Sequence, residues 1–233
     1  MNVTLRCHPL LVDILPRPTL AKLSPPTWIK DMPSEVHSTT LGEPIRTLKH
    51  CPPILDAMAL GILFPLSTDV HVTDSGFHWD WDPPQTPETL LTRSPLSLHL
   101  VEQAQGTPFD TAPRHVIKFN NFWTVELPRD TSMAFFHPIN RPELPFQTLS
   151  GVVDCDLFSD GYVHFPALWT DHNFRGTLPA GTPIAQGIII NRAPLVITVE
   201  EQSPDQIARA ADLQKKLGTE RGVYRKHFRS KNR

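Results

Sequence analysis

The chain of 233 residues is poor in cysteine, glycine and tyrosine, and it lacks long apolar runs. Its three cysteines, Cys7, Cys51 and Cys155, are odd in number and widely spaced. They form no C-x-x-C pair and no disulfide framework, so each thiol reads as a small buried hydrophobe in a reducing compartment. Cys51, between His50 and Pro52, is a weak nucleophile candidate because nothing nearby in sequence would activate it. No apolar stretch approaches the roughly 18 residues of a membrane span, and no signal peptide is present. The expectation is a cytoplasmic protein with no membrane contact. The 11 histidines include neither H-x-x-x-H nor H-E-x-x-H, which removes zincin-type zinc sites.

Against only 11 glycines stand 25 prolines, about twice the average share. That disfavours long helices and favours short strands joined by stiff loops. The net charge of −2 is uneven. Residues 209–233 hold nine Lys/Arg and two acids, so +7, and the other 208 residues carry −9. The length is enough for one large domain with a substantial core.

The strongest local signals lie between Ser132 and Arg192. Val152–Phe158 and Tyr162–Trp169 are β-branched and aromatic, and Asp160-Gly161 between them predicts a two-residue hairpin. A type I′ turn would set Leu157 opposite His164 and Asp156 opposite Phe165. Asp154 and Asp156 would then share one strand face, with Cys155 and His164 on the other. A bulged three-residue loop would reverse that relation. Pro179–Thr182 predicts a turn, and Ile184–Ile190 a buried strand.

Elsewhere, strands are expected within Asn2–Leu15, Ile62–Leu66, Asp69–Thr73, Phe77–Trp81, Ser97–Glu102, His115–Phe119, Asn121–Leu127, Met133–Phe136 and Leu195–Glu200. A short helix is expected over Pro52–Leu60 and a helical turn or loop near Pro25–Pro33. Surface loops are expected over Asp82–Pro95 and Gln105–Pro113. Ser203-Pro204-Asp205-Gln206 has capping-box spacing, and Ile207, Ala210, Ala211, Leu213 and Leu217 continue a helical stripe to Gly218. The reading is a single mainly-β domain over 1–208, with a helix and basic tail over 203–233.

Gly151-Val152-Val153-Asp154-Cys155-Asp156, then Ala180-Gly181-Thr182-Pro183-Ile184-Ala185-Gln186, resemble two central motifs of the dUTPase and dCTP-deaminase superfamily. There the first motif runs G-hydrophobic-I-D-x-D-Y-x-G and the second G-D-R-I-A-Q. The resemblance covers about residues 130–192. It implies a distorted antiparallel barrel of the β-clip type at about 115–200, often trimeric, with Asp154 in the place that activates the attacking water. Leu157 replaces the tyrosine, the R-S-G motif is missing, and the last 25 residues hold only Gly218 and Gly222 where a glycine-rich closing segment belongs. The whole chain resembles an uncharacterised family of tailed-phage and bacterial proteins, through Lys49–Pro53, Lys118–Trp123, His137–Arg141 and the two motifs above.

Several residues are candidates for chemistry. Asp154 and Asp156, two apart, could hold a proton, a water or a divalent cation, which makes a divalent metal a possible cofactor. The alternative is a role at turns or in a subunit channel. His137, Asn140 and Arg141 follow an apolar strand, and Arg141 offers a bidentate fork to a carboxylate or phosphate. A salt bridge and an Asx turn would use the same residues. Lys118, Asn120 and Trp123 could bind an anionic planar ligand, or simply bury an indole. Gln186, which ends the second motif, is a further candidate for ligand contact. His137, Asp154 and His164 would suit a non-haem metal site, but the I′ register separates Asp154 from His164. The basic tail fits nucleic-acid backbones or the acidic body of its own or a neighbouring subunit.

Two functions therefore stand open: an enzyme or binding protein for a small anionic molecule, with a nucleotide as one candidate, and a non-catalytic phage-like structural or interaction protein. A homo-oligomer, with a trimer favoured, is expected from the resemblance.

Overall fold

The computed structural model describes residues 2–86, 93–109 and 116–230. His115 and parts of the loops expected over 82–95 and 105–113 lie outside the described residues. In chain order the strands are β1 (Thr4–Arg6), β2 (Thr19–Leu20), β3 (Glu35–His37), β4 (Pro44–Arg46), β5 (Ile62–Pro65), β6 (Val70–Thr73), β7 (Gly76–His78) and β8 (Leu96–Leu98). They continue as β9 (Val116–Phe119), β10 (Thr124–Glu126), β11 (Thr131–Phe136), β12 (Phe146–Thr148), β13 (Gly151–Val153), β14 (Phe165–Trp169), β15 (Gly176–Leu178) and β16 (Pro183–Asn191). The α-helices are α1 (Thr27–Asp31), α2 (Pro52–Ala59) and α3 (Pro204–Thr219). Two units are distinguished: Met1–Asp31 with Ala57–Arg192, and Met32–Asp56 with Ala193–Arg233. None of the described helices is long and apolar enough to cross a membrane.

The strand pairings of the first unit are all antiparallel. A five-stranded sheet runs β13-β11-β16-β5-β2, a four-stranded sheet β12-β14-β9-β8, and a three-stranded sheet β15-β6-β7, while β1 pairs with β10. Among the described residues no sheet closes into a barrel, so the mainly-β expectation stands without its closed form. The core lies where alternate side chains of the first two sheets meet. Phe64 on β5 meets Phe135 on β11 at 5.6 Å between ring centroids, and both meet Phe165 on β14, at 5.3 and 5.2 Å. All three rings are buried. Edge and tilted pairs of this kind add about 0.5–1.5 kcal/mol each beyond area burial.

The predicted 152–158/162–169 hairpin does not form. After β13 the chain turns helically, Leu157 N–H and Phe158 N–H donating to the Asp154 carbonyl at 2.9 and 2.8 Å. β14 pairs instead with β9 and β12. The Phe158 ring folds over Gly161 instead: a Cβ there would lie 2.0 Å from it, and the half-exposed ring would have to swing aside. The first predicted strand is also shorter, because after β1 the chain coils, with Val12 N–H and Leu15 N–H donating to His8 and Leu11 carbonyls. Leu195–Glu200 forms no strand.

The second unit contains the β3–β4 hairpin, which the sequence reading missed, and α3, capped by Ser203 and Gln206 as the capping-box spacing predicted. A π-helical turn over Tyr224–Phe228 follows. Arg229 holds Asp56 through two hydrogen bonds, at 3.1 and 2.6 Å. No residue of α3 is fully buried.

One tight contact fixes where β5 begins. Gly61 has φ +76°, and a Cβ on it would lie 2.0 Å from the Gly187 carbonyl oxygen on β16. A left-handed conformation and a backbone clash coincide there, so Gly61→Ala is expected to destabilise by about 2 kcal/mol or more in denaturant unfolding. Gly181→Ala, at φ +85° with open space around it, is expected to cost about 1 kcal/mol.

Candidate functional site

Three neighbouring strands bring the two aspartates together with residues far away in sequence. β11 pairs with β13 through Met133↔Val153 and with β16 through Thr131↔Asn191. Ser132, Asp154 and Arg192 therefore meet at one end of the five-stranded sheet. The Ser132 hydroxyl donates to Asp154 Oδ1 at 2.6 Å. Arg192 Nη1 lies 3.3 Å from that same oxygen. The guanidinium also grips Asp156 with both arms, Nη1 to Oδ1 at 2.6 Å and Nη2 to Oδ2 at 2.5 Å. The backbone N–H of Asp130, itself at φ 62°, donates to Asp156 Oδ2 at 3.0 Å.

The two carboxylates are unequal. The Asp156 side chain is 3% exposed and that of Asp154 53%. The Arg192 hydrogen bond chiefly holds the Asp156 carboxyl below the usual carboxylate range, helped by the Asp130 N–H and opposed by burial. Arg192 is in turn raised above its ordinary value, mainly by Asp156. Burial, reinforced by both carboxylates, pushes the Cys155 thiol up to about 11, so it is no nucleophile at neutral pH. Asp156 is thus an ion-pair partner, and a carboxylate with a depressed pKa is a poor proton acceptor. Asp154 retains one oxygen, Oδ2, with no hydrogen-bond partner among the described residues.

The loop after β11 is braced from within. His137 accepts the Thr148 N–H on Nδ1 at 3.3 Å, so its Nε2 proton is the one given to the Arg141 carbonyl at 3.2 Å. Burial lowers the His137 pKa and outweighs the opposing hydrogen bond to Arg141. Arg141 is mostly buried, bonded to the Ser24 carbonyl and 3.8 Å from Glu143. Asn140 takes a left-handed φ of 56°, and its carbonyl accepts the Trp28 indole N–H at 2.8 Å. Gln186, 1% exposed, accepts the Ile139 N–H at 2.9 Å and donates to the carbonyls of Ala57 and Leu60, at 3.2 and 2.6 Å.

The third candidate set is not one surface. Asn120 is buried and donates to the Ser94 carbonyl at 3.0 Å. Trp123 is buried in a small cluster with Leu11, Leu15 and Phe122. Lys118, on β9 opposite Pro166, is half-buried. Asn121, which the sequence reading passed over, organises this corner. It caps the Trp123 backbone from both sides, Nδ2 to its carbonyl at 2.7 Å and Oδ1 from its N–H at 3.1 Å, while its own N–H donates to His164 Nδ1. Burial and then Lys118 lower the His164 pKa.

The structure therefore joins Gln186 to the His137–Arg141 loop, and joins Asp154 to Asp156. No hydrogen bond or ion pair among the described residues links the aspartates to Lys118, Asn120, Trp123, His137, Asn140 or Arg141. No group of three or more His, Cys, Asp or Glu among the described residues is placed to share a metal ion. Sequence reasoning missed Ser132 and Arg192 in this cluster. Only the β11–β13 and β11–β16 pairing, once proposed, would have aligned their strand ends with Asp154.

No family model matches the chain, and no curated protein matches it. Among solved structures, a point mutant of the dUTPase of Staphylococcus bacteriophage 80alpha is similar at 10% identity and a TM-score of 0.35, covering 87% of this chain and 98% of that one. At that level of likeness nothing about this chain follows from it.

Two outcomes follow from the geometry. Gln186→Leu leaves one N–H and two carbonyls unpaired inside the protein, and should cost on the order of 3 kcal/mol in denaturant unfolding. Because the folded pKa of Asp156 is depressed, its contribution to stability is complete above the ordinary value of 3.8 and is lost as pH falls through that value towards the folded one. Melting temperature measured against pH should fall in that window, and Asp156→Asn should flatten the fall there.

Proposed function

We propose that the protein is a non-catalytic structural or interaction protein. In this reading the β-rich first unit is an assembly core that associates with copies of itself, as a trimer, and the cationic C-terminal region supplies contacts. One observation carries it: the side chains that a small-anion site would need are engaged inside the protein. Arg192 neutralises Asp156 and shares Asp154, Arg141 is turned onto a backbone carbonyl, and Asn120 and Gln186 are buried and bonded. The +7 of residues 209–233 complements the −9 of the remainder, which favours docking on an acidic protein surface over a nucleic-acid backbone. The β-clip assignment of the core belongs to the same proposal and rests on the Gly151–Asp156 and Ala180–Gln186 motifs.

The exposed Asp154 favours a second reading, a site for a small anionic molecule such as a nucleotide, with Asp154 as general base. A bonded serine hydroxyl and an adjacent guanidinium would orient it.

A thermal-shift screen with nucleotides, amino acids, 2-oxo acids and divalent metals separates the two. The first reading expects no saturable rise in melting temperature. A true ligand at a hundredfold excess over its Kd would add about 2.7 kcal/mol and be plain to see, and such a rise would overturn the first reading. Asp154→Asn is expected to lower the melting temperature through its lost charge contact with Arg192, with no ligand-dependent difference from the wild type. An unchanged melting temperature together with a lost ligand response would favour the catalytic base.

A further inference from the structure

Residues 194–202 follow the last β-strand of the first unit and pair with no strand among the described residues. They belong to no ladder, and none makes a backbone hydrogen bond among the described residues. Yet their sequence is that of a strand. Leu195, Ile197 and Val199 alternate onto one face, and Val196, Thr198 and Glu200 onto the other. That alternation is the signature of a strand with one buried face. Here the buried face is missing: Leu195 is 86%, Ile197 76% and Val199 90% exposed, with Val196 at 83%. Exposed β-branched residues with open backbone donors and acceptors form a template for pairing with another strand.

The chain also carries an unfilled edge. β13 ends the five-stranded sheet, with β11 on one side and, among the described residues, no strand on the other. Val152 at its centre is 62% exposed, and the register Val152↔Ala134↔Ile188 places it on the same face as Ile190, also exposed. A strand added to β13 would lay its side chains beside Val152 and extend that apolar row by cross-strand pairing.

We infer that residues 195–199 form a strand on the β13 edge of a second copy of this chain. The occupant is a second copy for two reasons. The acceptor edge and the donor strand are both unpaired on one sequence, so an exchange satisfies each copy's arm and edge together. The charge balance agrees: residues 209–233 carry +7 and the other 208 residues −9, so the cationic end of one copy is attracted to the body of the next. The inference rests on the self-association proposed above and names the segment that provides it.

The test uses the full chain. Ile197→Asp with Val199→Asp places charges on the apolar face without touching either unit's core. Light scattering should show wild type as an oligomer and the double variant as single chains, with the wild-type circular dichroism spectrum retained. For location, Val152→Cys protein is mixed with Ile197→Cys protein and treated with a short bismaleimide, wild-type chains serving as the control for Cys7 and Cys51. A cross-linked dimer that requires both variants is expected. An oligomer that survives the double aspartate substitution, or that gives no mixed cross-link, overturns the arm inference while self-association stands. Wild type running as a single chain overturns both. Cross-linking confined within a chain bearing both cysteines would also overturn it, since the arm would then fold onto its own edge.

Discussion

The carboxamide of Gln186 is the interaction on which the first unit depends. It lies in the middle of β16, the central strand of the five-stranded sheet, where no water can reach it. Its oxygen takes the Ile139 N–H and its nitrogen takes the Ala57 and Leu60 carbonyls. One side chain thereby satisfies the loop after β11 and the last turn of α2, both of which would otherwise bury unpaired backbone. The same strand runs past Gly61, whose missing Cβ lets the turn into β5 sit against the Gly187 carbonyl. The loop position is then reinforced by His137, kept neutral by burial, and by Arg141 on the Ser24 carbonyl. A residue that a resemblance marks for ligand contact is, in this chain, the internal fastener of the sheet.

The aspartate pair shows how one distant cation changes the chemistry of a motif. Two carboxylates alone would repel, and one would be driven to hold a proton. With Arg192 between them the cluster carries one net negative charge, and Asp156 is bonded on both oxygens. Without Arg192 the pair would look like an acid–base site. Keeping it makes Asp156 the anchor that fixes where β16 ends, and Asp154 a half-exposed carboxylate steadied by Ser132.

Much of the architecture was legible because it is decided locally. The Ile-rich run of β16, α2 after its paired prolines, and the Ser203–Gln206 cap are written in adjacent residues. The β6–β7 hairpin around Asp74–Gly76 is too. What was illegible was decided by partners. Asp160-Gly161 is a sound hairpin signal, but its first strand breaks because the Asp154 carbonyl takes two N–H groups in a helical turn, and β14 finds β9, over 40 residues earlier. For the candidate site, the sequence exposed Asp154, Asp156 and Gln186 but not their partners. Arg192 lies 36 residues from Asp156 and Ser132 lies 22 from Asp154. Burial of Asn120 and Trp123 likewise comes from Ser94 and from Leu11 and Leu15, contacts that no local spacing encodes.

The one local signal without a local outcome is the run at 195–199, and its flanks say how far pairing could spread. Pro194 has no N–H to give, so a ladder cannot extend past it in that direction. Glu200 and Glu201 end the other side, and like charges stacked along successive added strands repel. The competent stretch is therefore about five residues, close to the three of β13. A short donor facing a short edge favours a closed assembly of few copies over open-ended stacking. α3 begins at Pro204, four residues after Glu200, with its Ile207 and Leu217 side chains exposed as well. Arm and helix together give the C-terminal region more apolar surface than its own fold covers, as expected of a segment whose packing is completed between chains.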